Sequence, residues 1–509
     1  MDSLVTTAII GTGQAGNTKP LTDTPVDALA AQLGTTEIER RLLLTAGALA
    51  VYQQVGSVPA AAPAAPQPAA RESLAVCSEK AAHLVQELLQ GQQRELLSEA
   101  VQRLKQANLR LPYTLLPLAL GYGAQSVEIR AALAPVLGER GHWLSQFEKK
   151  WSWLAQFLPK SVEQDDAETL WQEGTNGVRR QVLEQVRASD AALGRQWLMD
   201  TWKQEKAETR ALLLEALEIG LSSDDEPLLE QALDDRSELV RGIGALLLAH
   251  LPTSAFMQRV LSRADAILTY KDGKFSIELP LQYDESWQRD GIKAQTQQQY
   301  REEQIATQVL TRVPPTHWEK RFAATPTKLI EATTRTQNLK VDLIAVWSHA
   351  TMLFGGPNWY EPLWAWLCRH PGTSTLHYEQ LTGIYKTLAA QLPQRVAEEY
   401  VQQQFEKEGE HWHTALVALK RPWSAAFGDR CLEEFRSHCF ALDEHTTPSS
   451  QWQATLVATA LALPPECFKA ALTTWQFPEN KSWQIQQWKH ALKNFTAVIR
   501  IRKRIIEEI

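Results

Sequence analysis

The sequence predicts an all-α fold in which short helices stack as repeats. Two self-similarities lead to this prediction: segments of residues 170–262 repeat with a period of 31 residues, and segments of residues 412–475 match at a spacing of 40 residues. Repeats of these lengths are typical of stacked pairs of helices. A third observation is that the strand pattern between the two regions is limited to one short hairpin.

The first self-similarity defines a ladder of equivalent side chains. Trp171 and Trp202 occupy one position of the repeat, and Arg179, Arg210 and Arg241 occupy another. The apolar residues around them recur at i, i+3, i+4 and i+7, which is the spacing of one helix face. A single repeat cannot bury that face by itself, so neighbouring repeats must stack.

The turn before Arg241 indicates the type of repeat. Residues 233–241 read LDDRSELVR, which resembles the turn of a HEAT repeat, where an aspartate ends one helix and an arginine begins the next. We therefore expect a HEAT-like helical repeat solenoid in two arrays with a small β-hairpin insertion.

Residues 1–56 form the predicted N-terminal helical segment, and they contain a glycine pattern at residues 11–16. The spacing imitates the turn that binds a dinucleotide in a Rossmann fold. Pro20 and Pro25 prevent the long helix that would have to receive the pyrophosphate. We therefore interpret residues 4–10 as a short helix that a glycine ends, and we predict no cofactor.

The rest of the chain divides by composition and pattern. Residues 57–72 are an Ala/Pro linker, because the tract lacks periodicity and cannot build a core. Periodic helical sequence makes residues 73–264 the first predicted repeat array. Residues 265–292 predict a β-hairpin insertion and loop, with its turn at Lys271-Asp272-Gly273. Helices return in residues 293–509, the second predicted repeat array.

Four short motifs resemble an uncharacterised bacterial family of large helical, HEAT-like proteins. They are LVTTAIIGT at residues 4–12, RLPYTLLPLAL at 110–120, LGERGHWL at 137–144 and SWQRDGI at 286–292. Members of that family are encoded beside MoxR-type AAA+ ATPases, von Willebrand A-domain proteins and SWIM zinc-finger proteins. The resemblance implies a role in an ATPase-centred system, with the ATPase or the von Willebrand A-domain protein as the partner.

Composition narrows the classes of function. The net charge of −7 supplies no general attraction to nucleic acid or to an anionic membrane surface. The apolar runs are shorter than the roughly 18 residues that a membrane span needs. Five scattered cysteines without a CxxC pair fit reduced thiols better than disulfides. We expect a cytoplasmic protein that binds no membrane.

Residue types that bind zinc collect in one window, at His411, His413, Cys431, His438, Cys439 and His445. Zinc sites are normally built from compact pairs such as CxxC and HxxxH, and this spacing does not provide them. Buried thiols and ordinary histidines are the favoured interpretation, so we predict no metal site.

Charged residues after the hairpin, including Asp284, Glu285 and Asp290, raise the question of acid-base catalysis. No histidine or cysteine lies near them at ligand spacing, and charges in a loop are usually solvated. We predict no catalytic residue there.

The tryptophans supply the candidate protein-binding residues. Trp359, Trp364 and Trp366 cluster within eight residues, and aromatic groups exposed on a concave solenoid face would suit protein recognition. Core packing is the alternative, and it is favoured because bulky aromatics are generally mostly buried.

We predict a non-enzymatic scaffold or adaptor, because no catalytic or cofactor pattern fits its context and no GxxxxGK[ST] loop is present to hold a nucleotide. The alternative is a HEAT-like nucleic-acid-binding protein or an enzyme of the DNA glycosylase type, in which the arginine ladder would face phosphates. Acidic neighbours such as Glu208 and Asp234 oppose a basic groove, so a structural ladder of acids and arginines is preferred.

Overall fold

Helices dominate the computed structural model of this chain, in which 73% of the residues are helical and the strands form only small pairs. The all-α prediction is therefore confirmed. No described helix is long and apolar enough to cross a lipid bilayer. The structure describes residues 2–14, 22–34, 37–55, 67–91, 94–157, 164–279, 283, 285–293, 301–370, 378–405, 412–442, 448–477 and 483–509.

The chain divides into two compact units, Met1–Ala69 and Ala70–Ile509. Most of the predicted linker, residues 57–66, lies outside the described residues. The described helices of the first unit are α1 (Asp2–Ile10), α2 (Val26–Ala31) and α3 (Ile38–Val55).

A small apolar cluster holds the first unit together. Leu4, Val26 and Leu49 are buried in it, one from each helix. Helix α1 ends where Gly11 adopts a φ of 90°, a conformation that glycine reaches without a steric penalty. The predicted short helix ended by a glycine is confirmed.

The second unit contains the remaining described elements in three stretches. The first stretch holds β1 (Ala75–Val76), α4 (Glu79–Gln90), α5 (Arg94–Gln106), β2 (Leu109–Arg110), α6 (Leu116–Gln125), α7 (Arg130–Leu133) and α8 (Gly138–Ser145). The second holds α9 (Gln164–Glu173), α10 (Asn176–Ser189), α11 (Ala191–Thr201), α12 (Ala207–Glu215), α13 (Glu226–Ala232), α14 (Glu238–Ala249), α15 (Ala255–Ile267), β3 (Leu268–Lys271), β4 (Lys274–Ile277) and α16 (Glu285–Arg289).

The third stretch is helical. It holds α17 (Arg301–Thr311), α18 (Pro315–Phe322), α19 (Pro326–Arg335), α20 (Leu343–Phe354), α21 (Pro357–Arg369), α22 (Tyr378–Gln391), α23 (Gln394–Gln402), α24 (His413–Ala418), α25 (Ala425–Phe440), α26 (Ser450–Ala462), α27 (Phe468–Ala471) and α28 (Trp483–Glu508). Short 3-10 helices lie at Tyr113–Leu115, Val127–Ile129, Ala134–Val136, Lys149–Phe157, Ala216–Glu218, Ser223–Asp225 and Pro465–Cys467.

The predicted hairpin is confirmed. Strands β3 and β4 pair antiparallel, and Asp272 and Gly273 between them have φ angles of 53° and 74°, as a tight two-residue turn requires. An isolated hairpin is marginal in water, so it must pack on something. Phe275 provides that contact, because its ring lies against the rings of Phe322 and Trp347. A second strand pair, β1 with β2, is parallel and only two residues long.

From α19 onwards the helices form two layers. The even-numbered helices contact one another in order from α20 to α28, and the odd-numbered helices do the same from α19 to α27. Helices α10, α12 and α14 contact one another in the same alternating way. One apolar core runs through this region, from Ala167 to Ile499, and it crosses the predicted array boundary at residue 264.

A second core joins the first stretch to the end of the chain. It contains buried residues between Cys77 and Leu154 together with Leu461 and Ile505. Helix α28 contacts α4 and α5 directly.

An ion pair stabilises the contact between α28 and α5. Arg502 donates to both carboxylate oxygens of Glu99, at 2.8 and 3.2 Å. It also donates to the main-chain carbonyls of Ala460 and Leu463. The side chain therefore links α5, α28 and the end of α26 in one network of charge-assisted hydrogen bonds.

The most deeply buried ion pair of the described residues lies between α10 and the 3-10 helix that precedes α13. The side chains of Arg187 and Asp225 are both fully buried, and the guanidinium donates to both carboxylate oxygens at 3.0 and 3.2 Å. Arg187 also donates to the carbonyls of Ala191, Leu217, Ile219 and Gly220. All these hydrogen bonds are needed, because removing a guanidinium from water without partners for its donors is very costly in free energy.

We expect Arg187→Met to lower the free energy of unfolding by about 3–5 kcal/mol, because the substitution leaves the Asp225 carboxylate buried with fewer partners. Denaturant unfolding of the whole chain, followed by circular dichroism, measures the change.

Arg180→Met is the matched control on the same helix. Its partners Glu184 and Glu215 are substantially exposed, and exposed pairs contribute no more than about 1 kcal/mol. Equal losses in the two variants would contradict a special role for the buried pair.

Candidate functional site

The predicted arginine ladder lies along α10, α12 and α14, and two of its members bind carboxylates. Arg179 donates to Glu205 at 2.6 Å. Arg210 donates to both carboxylate oxygens of Asp235, at 2.8 and 3.0 Å. The buried rings of Trp171 and Trp202 lie under the guanidinium groups of Arg179 and Arg210, with distances of 4.5 and 5.7 Å to the ring centres.

Arg241 occupies the same repeat position but has different partners. In the described structure its guanidinium donates to the main-chain carbonyls of Asp235 and Arg236, at 2.8 and 3.1 Å, and it forms no ion pair. Arg210 and Asp235 are separated by 25 residues, and the residue 25 positions after Arg241 is Ala266. The corresponding carboxylate is missing there, where α15 is about to lead into β3.

Arg241 lines a groove beside α14. Two adjoining clefts form it, of about 880 and 480 Å³, and they share Gly242, Leu246 and Arg312. Its walls are provided by helices α14, α17 and α20 together with Tyr283, Gln288 and residues 291–293. We call these two clefts together the α14 groove.

The groove exposes apolar side chains that the fold leaves uncovered. Leu239 and Leu246 on α14 are 58% and 44% exposed, and Leu353 on α20 is 39% exposed. Helix α14 buries Val240, Leu247 and Leu248 on its other side. It is therefore apolar nearly all round, which is unusual for a helix with one face open to solvent.

Gly242 makes room in the middle of the groove. A glycine inside a helix costs about 0.5–1 kcal/mol relative to alanine, so it usually has a packing or functional reason. No described atom lies within 4 Å of the position that a Cβ of Gly242 would occupy, so close packing within the fold is not the reason. Gly244 on the same helix differs, because its Cβ would stand 3.2 Å from Ala232.

The SWQRDGI motif forms one end of the groove. Its Asp290 is 1% exposed and accepts hydrogen bonds from Arg259 and Arg263, the shortest at 2.7 and 2.6 Å. Gly291 follows with a φ of 75°, and its carbonyl accepts a hydrogen bond from Arg312 at 2.8 Å. Asp290 is thus a buried partner of arginines, whereas Asp284 and the side chain of Glu285 lie outside the described residues.

The described charged residues that line the groove are mostly positive. Glu238 is the carboxylate among the lining residues, and Arg241, Lys293 and Arg312 are the cations. Lys293 pairs with Glu238. Burial lowers the pKa of the Arg312 guanidinium, and burial also lowers the pKa of His349, so that histidine is neutral at pH 7. Among the described residues, Arg241 and Arg312 are the lining cations without a carboxylate in contact.

The three tryptophans considered as protein-binding candidates lie in the core. Trp359 and Trp364 are 0% exposed, and Trp366 is 7% exposed. The Trp359 indole donates to Glu319, and the Trp364 indole donates to the carbonyl of Ala397. They present no open surface to a partner because their rings fill the space between helices.

The zinc-type residues are also part of the core where they are described. His413 is buried with its Nδ1 2.8 Å from the Thr455 hydroxyl, while His411 lies outside the described residues. Burial raises the pKa of the Cys431 thiol well above its usual range and that of Cys439 to about 12. Both thiols are therefore protonated and poor metal ligands at neutral pH. Within the described part of the chain, no three His, Cys, Asp or Glu side chains are grouped as a metal site requires.

The glycine pattern near the N-terminus lacks the context of a cofactor site. Helix α1 stands where a dinucleotide-binding turn would follow a strand. Gly16 lies outside the described residues.

Sequence reasoning missed the α14 groove, although two signals for it were present. Leu239 and Leu246 are seven residues apart and therefore share one helix face with Gly242 between them. Ala266 replaces the expected acid of the ladder. Neither signal identifies the opposite walls, because α17 and α20 are distant from α14 in sequence.

We expect Arg210→Ala to lower the free energy of unfolding by about 1.5–3 kcal/mol, because it removes a charge-assisted, two-point contact with a largely buried carboxylate. Arg241→Ala should cost less than about 1 kcal/mol, since only hydrogen bonds to partly exposed carbonyls are lost. Thermal and denaturant unfolding of the two variants gives the comparison. Equal destabilisation would show that Arg241 has the same structural role as Arg210.

No curated protein matches the chain. The sequence model of a family of unknown function, DUF5691, matches residues 3–509, and the chain therefore belongs to that family.

Proposed function

We propose that this protein is a non-enzymatic scaffold or adaptor that binds another protein through the α14 groove. The observation that carries the proposal is the groove itself, in which Leu239, Leu246 and Leu353 are exposed beside a helix position left empty by Gly242. Exposed apolar side chains that line one concavity are a mark of an interaction site.

The proposal includes the architecture, a HEAT-like helical repeat solenoid. The alternating contacts among α20 to α28 and among α19 to α27 support it, because stacked helix pairs produce two such layers. The ladder of Arg179 and Arg210, each bonded to an acid about one repeat further on, supports the same architecture.

The nucleic-acid alternative has less support. A protein that binds phosphates needs several uncompensated cations along one surface. Arg179 and Arg210 are each bonded to a carboxylate, and Arg259 and Arg263 share Asp290. Two cations in the α14 groove are too few for a phosphate backbone and have exposed leucines for neighbours.

The partner is proposed from the resemblance of the four motifs. It implies a MoxR-type AAA+ ATPase or a von Willebrand A-domain protein in the same cytoplasm. An adaptor of this kind would position a substrate or a second subunit for the ATPase and would itself hydrolyse nothing.

We expect affinity purification of the full chain from its native host to recover the ATPase or the von Willebrand A-domain protein in stoichiometric amount. Gly242→Trp should abolish that recovery, because an indole would fill the groove without meeting described atoms of the fold at its Cβ. Mass spectrometry with quantification of each component makes the measurement.

Gly242→Ala is the matched control. A methyl group leaves the groove open and should stabilise α14 slightly, so recovery should match that of the parent chain. Purification of the chain without a protein partner, together with salt-sensitive binding to DNA or RNA, would contradict the adaptor proposal and favour the alternative.

A further inference from the structure

The α14 groove combines positive charge with apolar surface in a way that specifies the chemistry of its occupant. The whole chain has a net charge of −7, but the described residues that line the groove include three cations and one carboxylate. Lys293 and Glu238 neutralise each other. The remaining charge belongs to Arg241 and Arg312, which donate to main-chain carbonyls in the described structure.

The arginines near the groove form ion pairs with carboxylates of the fold. Arg259 and Arg263 bind the buried Asp290, and Arg289 binds Asp234 and Glu230 at 2.6 and 2.9 Å. These three cations are neutralised within the fold. Arg241 and Arg312 have no carboxylate in hydrogen-bond contact among the described residues, and both line the groove.

The apolar side chains set the shape of the occupant. Leu239 and Leu246 stand two helical turns apart, which corresponds to roughly 10 Å along α14. A partner helix with apolar residues at i, i+3 or i+4 and i+7 covers the same length. Gly242 between the two leucines removes a side chain at the point where the partner would approach most closely.

We infer that the α14 groove binds an acidic amphipathic helix of the partner protein, with its apolar residues against Leu239, Leu246 and Leu353 and its carboxylates against Arg241 and Arg312. This inference rests on the proposed adaptor function and adds the chemistry of the segment that is recognised. Carboxylates that reach two guanidinium groups in a partly desolvated groove make stronger hydrogen bonds than neutral groups would. The same cations select against basic segments.

Three labelled synthetic peptides test the inference by fluorescence anisotropy against the full chain. The first is a helical peptide with leucines at i, i+3, i+4 and i+7 and glutamates at the flanking positions. The second keeps the leucines and replaces every glutamate by lysine, and the third has the composition of the first in scrambled order. We expect the acidic amphipathic peptide to bind, the lysine peptide not to bind, and the scrambled peptide to bind at least about tenfold more weakly.

Two variants locate the binding. Arg241→Gln should weaken binding of the acidic peptide about tenfold, since one charge-assisted hydrogen bond is lost. Arg236→Gln is the control, because this exposed arginine lies near Arg241 but does not line the groove. Gly242→Trp should abolish binding while leaving the charge of the groove unchanged. This variant tests the location of binding if the Arg241 variant folds poorly.

The inference is overturned if the acidic peptide fails to bind at millimolar concentration, if the lysine peptide binds equally well, or if Gly242→Trp has no effect on binding. A labelled single-stranded DNA of the same charge provides the remaining comparison, and tighter binding of that DNA also overturns the inference. If the purified partner still requires an open groove while the acidic peptide does not bind, the adaptor function stands and only the chemistry of the segment is wrong.

Discussion

The structure depends on one constraint, which is that a guanidinium removed from water must have partners for its donors. Arg187 meets it with Asp225 and four carbonyls, and Arg502 meets it with Glu99 and two carbonyls. Arg187 and Asp225 are 38 residues apart, whereas Arg502 joins helices from the two ends of the second unit. The apolar cores provide most of the stabilisation, but the buried arginines fix which helices may face each other, because a shifted register would leave a charge unpaired.

The same need for hydrogen-bond partners distinguishes Arg241 in the α14 groove from the other arginines of the ladder. Arg210 and Arg241 occupy equivalent repeat positions, and of the two only Arg210 binds a carboxylate among the described residues. The difference arises because the β3–β4 hairpin interrupts the series of turns that supply the acids. Arg241 therefore lies beside the exposed Leu239 and Leu246 and the loosely packed Gly242, and this combination is the basis of the proposed binding site.

The sequence could predict local features but not the pairing of distant ones. The hairpin followed from Asp272 and Gly273, because few residues other than these tolerate positive φ angles in a two-residue turn. The ladder of Arg179 and Arg210 followed from the period. Core packing of Trp359 could be favoured only from the general burial of aromatic residues, because a repeat period does not reveal whether a ring points between helices or toward solvent. The groove required knowledge of which helices lie opposite α14, and the partners of α28 required contacts across most of the chain.

The contact between Arg502 and Glu99 spans 403 residues, and this distance affects how the protein must fold during its synthesis. Ribosomes add about 5–20 residues per second, so roughly 20–80 seconds separate the appearance of the two side chains. During that interval the apolar faces of α4 and α5 lack the helix that later covers part of them. The chain therefore passes through a state in which this surface is open to chaperones and to unwanted association, and folding of the first stretch is completed only after most of the protein has been made.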